Sequence, residues 1–238
     1  MAIILLFSCR ASAQPQIEAL TAGLPEKVHD ALARIDGDGR RLLALRSYLR
    51  SARSLDSRWS WTRAEIEAYE GSEAHGQALR AIEKVTAAFE ERNPGFTLRV
   101  NNNVRSLDEQ IANWNRNASV ASGAAEIAAA VSYWFSEQPR ASEREFRAFL
   151  SAWKPSGAVF IAAPGLSPHG RAQAFDFQIA RAGAVIAAAN TRIIDSVWDA
   201  DGWTERLKDA VSASGEPFEG PLENPREPWH YEYNPVRP

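Results

Sequence analysis

The sequence predicts an α+β fold, a small and mainly antiparallel sheet flanked by helices, with a helical N-terminal portion. Three observations lead there. Apolar residues recur at helical spacing between residues 24 and 92. After Asn93-Pro94-Gly95 the period changes to the alternation of half-buried strands. The later strand-like segments are interleaved with short helices but lack the regular strand-helix-strand rhythm of a parallel sheet. The chain has 238 residues, 45% of them hydrophobic and 24% charged, enough for one sizeable domain with an extra piece and a real core. Its net charge of −3 carries no cationic excess of the kind that draws a protein onto nucleic acid or anionic lipid. Neither G-x-x-x-x-G-K-[ST] nor G-x-G-x-x-G occurs, so a phosphate-cradling loop has no support.

The run Met1 to Cys9 is apolar but well short of the ~20 residues that span a bilayer, and it leads into the small-x-small pattern Ala11-Ser12-Ala13. Residues 1–14 are therefore read as an export signal or its remnant, without the basic residues that normally precede such a run. The expected location is the periplasm or cell envelope. A rival reading makes Cys9 a lipid-anchored first residue, although Phe7 fits the lipoprotein box poorly. A third has the segment packing on the domain as an ordinary apolar N-terminus. With Cys9 the single cysteine, no intramolecular disulfide and no Cys-rich metal site can form, so any metal must be held by His, Asp or Glu.

Residues 15–92 read as a helical N-terminal region. Pro25 suits a first helical position ahead of Val28, Leu32 and Ile35, and Asp36-Gly37-Asp38-Gly39 breaks the pattern. The next helix carries Leu42, Leu43, Leu45 and Leu49 among six arginines between Arg40 and Arg58. A solvated basic face is favoured there over a wall-binding or lipid-facing one. Thr62 and Glu65 fit a capping box, and Leu79, Ile82, Val85 and Phe89 keep helical spacing up to the stop at residue 93.

Beyond that stop, Phe96 to Val100 alternates as a strand and delivers the chain to Val104-Arg105-Ser106. Leu107, Ile111 and Trp114 suggest a short helix. Ser142 and Glu145 form a second capping box before Phe146, Phe149, Leu150 and Trp153, a stripe ended by Pro155-Ser156-Gly157. Strands are expected over 158–162, 174–179 and 185–188, a helix from Trp203 to Ser212, and a last strand where Trp229, Tyr231 and Tyr233 alternate with polar residues. Trp198, Trp203 and Trp229 are read as core rather than as sugar-stacking platforms. Asp195, Asp199 and Asp201 lack the glycine and terminal glutamate of a calcium loop.

Of the four histidines, His29 and His75 sit in charged helical stretches and read as surface residues. The other two keep different company. His169 precedes a carboxylate, Asp176, by seven residues, and His230 follows Glu227 by three. Hydrolytic zinc sites commonly use three N and O ligands and leave a fourth position for water, whose pKa falls to about 7. His169, Asp176 and His230 can fill that set. A carboxylate that is not a ligand is then needed to move protons, and Glu227 is the candidate. Because Pro228 prevents an ordinary helix, Glu227-x-x-His230 reads as a turn entering a strand rather than as a helical zinc motif. Developing negative charge also calls for a fixed cation, for which Arg105 at the end of the first strand is considered.

These segments carry a resemblance. Ser167 to Asp176 resembles the Ser-x-His-x-x-Gly-x-Ala-x-Asp motif of the VanY-type zinc D-alanyl-D-alanine carboxypeptidases, and Glu227-Pro228-Trp229-His230 resembles their Glu-x-Trp-His motif. Val104-Arg105-Ser106 through Gln110 is similar to the family's Tyr-Arg-Ser-x-x-x-Gln segment. The resemblance implies that residues 93–238 form a zinc metallopeptidase catalytic domain whose sheet bears the metal site. It implies further that His169, Asp176 and His230 bind Zn2+, that Glu227 is the catalytic acid/base, and that Arg105 polarises the scissile carbonyl or holds substrate. Ser167 and Gln110 would then line the substrate site. Two positions depart from the pattern: Ala172 stands where the motif has glycine, and Val104 where it has tyrosine.

The expected activity is hydrolysis of peptidoglycan stem peptides, with removal of terminal D-alanine favoured over endopeptidase cleavage. The competing expectations are an endopeptidase on the same fold, a non-catalytic relative that binds cell-wall peptide, and a docking role for the N-terminal helices.

Overall fold

A computed structural model describes residues 18–21 and 23–235. The export signal expected over 1–14 and the anchoring reading of Cys9 lie outside the described residues. In chain order the helices α1 (Glu26–Ala33), α2 (Asp38–Arg50), α3 (Leu55–Arg58), α4 (Arg63–Glu70) and α5 (Glu73–Arg92) lead to strand β1 (Phe96–Asn101). Helices α6 (Leu107–Arg116), α7 (Ala118–Glu137) and α8 (Glu143–Ala152) follow, then strands β2 (Ala174–Arg181) and β3 (Ala184–Ala187) and helix α9 (Trp203–Ser214). Four short strands close the chain: β4 (Phe218–Glu219), β5 (Leu222–Glu223), β6 (Arg226–Glu227) and β7 (His230–Tyr233). This is the α+β architecture expected from the sequence. Among the described residues no helix is long and apolar enough to cross a membrane.

The described residues divide into two compact units, each built from two separated stretches: those up to residue 59 with 107–167, and 60–106 with 168–235. The first unit is helical. Leu42, Leu43, Leu45, Tyr48 and Leu49 of α2 are buried with Val120, Ile127, Val131 and Phe135 of α7 and Phe146 and Leu150 of α8. Pro25 stands one residue before α1 rather than opening it. The basic face of α2 has a local task, since Arg46 Nε donates to the carbonyl of Trp153 at 2.6 Å and Arg50 to that of Ser151 at 3.4 Å. Cations there satisfy carbonyls that α8 leaves open at its C-terminus.

Two features of this unit depart from the sequence expectation. Helix α7 escapes the periodicity argument because its alanines and serines spread over every face, leaving little contrast between its buried and exposed sides. The expected strand at 158–162 is not one. Val159 and Ile161 do turn inward onto the helical core, while Phe160 N donates to Ser119 Oγ rather than to a neighbouring strand. Alternation reports one buried face, and here helices rather than a sheet cover it. The segment ends at Gly165, where φ is +86° and an added Cβ would lie 2.7 Å from the Trp59 ring, so only glycine fits.

The second unit holds the sheet, all of it antiparallel, in the order β1-β2-β7-β4 with β3 also paired to β2. Along β2 the side chains of Phe175, Phe177 and Ile179 point to one face and join Phe218, Tyr231 and Tyr233. Helix α5 covers them with Ile82, Val85 and Phe89, and α9 with Trp203, Leu207 and Val211. Each of these large apolar side chains contributes roughly 1.5–3 kcal/mol by leaving water. Trp198, Trp203 and Trp229 belong to this core, as expected. Thr62 closes the capping box of α4 with Glu65, and Ser142 does the same for α8 with Glu145 in the first unit. The two-stranded hairpin β5-β6 stands apart as a sheet of its own.

Candidate metal centre

Because side chains alternate along a strand, Ala174, Asp176 and Gln178 of β2 share the face opposite Phe175, Phe177 and Ile179. In the β2-β7 pairing Asp176 lies directly across from His230, and on its other side Asn101 of β1 is its partner. Register alone therefore makes Asp176 and His230 neighbours on one face. His169 arrives differently, in the 3₁₀ turn Pro168–Arg171 that precedes β2. Its carbonyl accepts a 3.0 Å hydrogen bond from Arg105 N, and the carbonyl of Gly170 accepts one of 2.8 Å from Trp61 N. The chain after β1 and the segment before α4 thus hold the turn in place.

The metal-ligating atoms of His169, Asp176 and His230 all lie within 4.8 Å of one another. His230 Nδ1 is 3.2 Å from Asp176 Oδ1, and His169 Nε2 is 3.6 Å from the same oxygen. For metal bonds of about 2.0–2.1 Å in a tetrahedral arrangement, neighbouring donor atoms stand about 3.3 Å apart. Two imidazoles and one carboxylate are N and O donors of the kind zinc takes, and grouped this closely they could hold a metal ion. They are also the kind of group a protein seldom buries without a reason. Among the described residues the buried polar and charged side chains are Ser60, Asn93, Gln110, Ser167, His169 and His230.

Burial, acting against the nearby Asp176 carboxylate, pushes the His169 imidazole down to about 4. Its ring is therefore neutral and open to a metal at ordinary pH. Asp176 shows the opposite balance. Its burial opposes ionisation, but the hydrogen bond with His230 and the proximity of His169, His230 and Arg105 hold it below the usual carboxylate range. Glu227 Oε2 stands 3.6 Å from His230 Nδ1. Desolvation raises its carboxyl, and the Asp176 charge adds to the rise while His230 and Arg105 oppose it. Two carboxylates at one site are thus held apart, one ionised and one readier to carry a proton. Arg105 NH2 approaches Asp176 Oδ2 at 3.9 Å.

Gln110 and Ser167 lie in the helical unit. Gln110 Oε1 accepts the backbone N–H of Gly165 at 2.9 Å, and Ser167 is buried two residues before His169. His29 and His75 are half-buried and outside the metal-ligating group, with His75 packed against Tyr69. At the glycine position of the motif, Ala172 adopts a left-handed φ of +52°, the region where glycine is the unstrained choice. Comparison of the chain with protein families, curated proteins and solved structures finds no match.

Proposed function

We propose that this chain is an exported zinc-dependent metallopeptidase acting on peptidoglycan stem peptides, with removal of terminal D-alanine favoured over cleavage within the stem. The observation that carries the reading is the convergence of His169, Asp176 and His230, donor atoms within 4.8 Å, with Glu227 only 3.6 Å from His230. The likeness of the three sequence motifs to VanY-type carboxypeptidases supports the substrate class.

Zinc held by these three residues would acidify a water and polarise the scissile carbonyl. Glu227, its carboxyl raised by burial, takes a proton from the attacking water. The water oxygen bonds to the carbonyl carbon and the C–N bond breaks; both protons of the water, carried through Glu227, end on the leaving nitrogen, so that a carboxylate and an ammonium result. Arg105, tied through its backbone to His169, offers a fixed cation to the negative charge that develops on the carbonyl oxygen. Asp176, held below the usual carboxylate range, would serve as the anionic member of the donor set.

The test is zinc content of purified wild type and His230→Ala, followed by D-alanine release from peptides ending in D-alanyl-D-alanine. About one zinc per chain, lost in the variant and accompanied by D-alanine release in the wild type, supports the reading. Folded wild type that refuses added zinc, or that binds zinc but hydrolyses no stem peptide, overturns it.

A further inference from the structure

Glu227 has a weak local framework. It ends β6, which among the described residues pairs only with β5, Leu222 opposite Glu227 and Glu223 opposite Arg226, in a hairpin outside the five-stranded sheet. A hairpin of this kind has marginal stability by itself. The group proposed to move the proton therefore rests on an element that the main sheet does not hold.

Its neighbours in sequence are gripped instead. Arg226 makes a two-pronged contact with Asp199, NH1 to Oδ2 at 2.8 Å and NH2 to Oδ1 at 2.7 Å. Asp199 closes the π-helical turn Ile194–Asp199, and its Oδ1 also accepts from Thr204 Oγ1 at 2.9 Å, in the first turn of α9. The preceding residue of that turn, Trp198, is fully buried and packs on Trp229 with ring centroids 5.6 Å apart. Trp198 Nε1 is fixed by the carbonyl of Ala188 at 2.9 Å. Two consecutive residues of one turn thus hold the residue before Glu227 and the residue two after it.

We propose that Asp199 and Arg226 are positioning residues for Glu227: their fork fixes the β5-β6 hairpin so that the Glu227 carboxylate keeps its place beside His230. The proposal rests on the metallopeptidase reading of the site. The pair is half-exposed, so its worth lies in direction rather than in global stability. A planar fork sets an orientation that a single charge contact does not. Misplacing a catalytic group by 1 Å lowers turnover by about 100-fold.

The experiment compares wild type, Asp199→Ala, Arg226→Ala, Arg226→Lys and the double alanine variant by kcat, KM, zinc content and backbone hydrogen exchange of the metal-free protein. In each single alanine variant kcat should fall by roughly 10- to 100-fold, while KM and zinc content stay within about twofold. Exchange should quicken over 194–199 and 222–227 but leave Phe175 to Phe177 protected. Arg226→Lys should fall between wild type and Arg226→Ala, and the double variant should lose no more than either single one. Wild-type kcat in either alanine variant overturns the proposal, as does unchanged exchange or a parallel loss of zinc and fold. An inactive wild type would remove the peptidase reading instead. In that event exchange decides alone, a rise confined to the two segments upholding the clamp and no rise overturning it.

Discussion

Acid should destabilise the metal-free protein through His169. In the unfolded chain this imidazole titrates near 6.5, whereas burial keeps the proton off the folded one down to about 4. Between those values the unfolded state binds more protons, so stability falls as pH drops, beginning below 6.5 and finishing near 4. At 1.36 kcal/mol per pH unit the full loss is about 3 kcal/mol, of which about 2 kcal/mol is gone by pH 5. That is a large share of the roughly 5–15 kcal/mol that holds a typical protein folded. Other groups at the site act too. Asp176, held low, loses its contribution only in stronger acid, and Glu227, held high, works in the opposite sense. The difference between wild type and His169→Asn isolates the imidazole. Urea unfolding followed by circular dichroism, with chelator present, should be run at about pH 7, 5 and 4. The advantage of His169→Asn over wild type should grow by about 3 kcal/mol across that range. Curves that stay parallel within about 0.5 kcal/mol would refute the burial argument.

At the catalytic level, Glu227→Gln should keep zinc but lower turnover by about 10²- to 10⁴-fold, since only proton transfer is removed; near-normal hydrolysis would assign the proton to another group. Arg105→Ala should lower kcat by about 10²-fold or more with zinc content held, and a loss of fold in its place would give Arg105 a structural role. Ala172 and Ala182 test the left-handed backbone, with φ of +52° and +48°. Ala182 is exposed, so Ala182→Gly should stabilise by about 0.5 kcal/mol, relief of strain outweighing the added freedom of the unfolded chain. At buried Ala172 the glycine also forfeits a methyl worth about 0.8 kcal/mol, so Ala172→Gly should come out near neutral in thermal or urea unfolding. Equal shifts at the two positions would contradict that account.

Much of the secondary structure was written locally. Each capping box lies within four residues, and the stops at Asn93-Pro94-Gly95 and Pro155-Ser156-Gly157 act on the chain beside them. Alternation marked β1, β2 and β7 because one face of each is buried. The same rule misread residues 158–162, where the covering elements are helices, and periodicity missed α7, whose alanine-rich faces differ too little. The candidate ligands were legible because metal chemistry restricts which residue types can serve and because His169 and Asp176 sit close in sequence.

What no local pattern carries is partnership between distant segments. Asp176 and His230 are 54 residues apart and meet because the β2-β7 register sets them opposite one another. Asp199 and Arg226, 27 apart, join through loops whose course depends on the packing of Trp198 against Trp229. The suppression of His169 protonation likewise depends on burial, which exists only once the turn before β2 is tied to Arg105 and Trp61. The sequence by itself determined the residue types, the caps and the alternation, all set by interactions a few residues long. Register, burial and the shifted acidities were left to the tertiary structure, because each depends on which remote surfaces exclude water together.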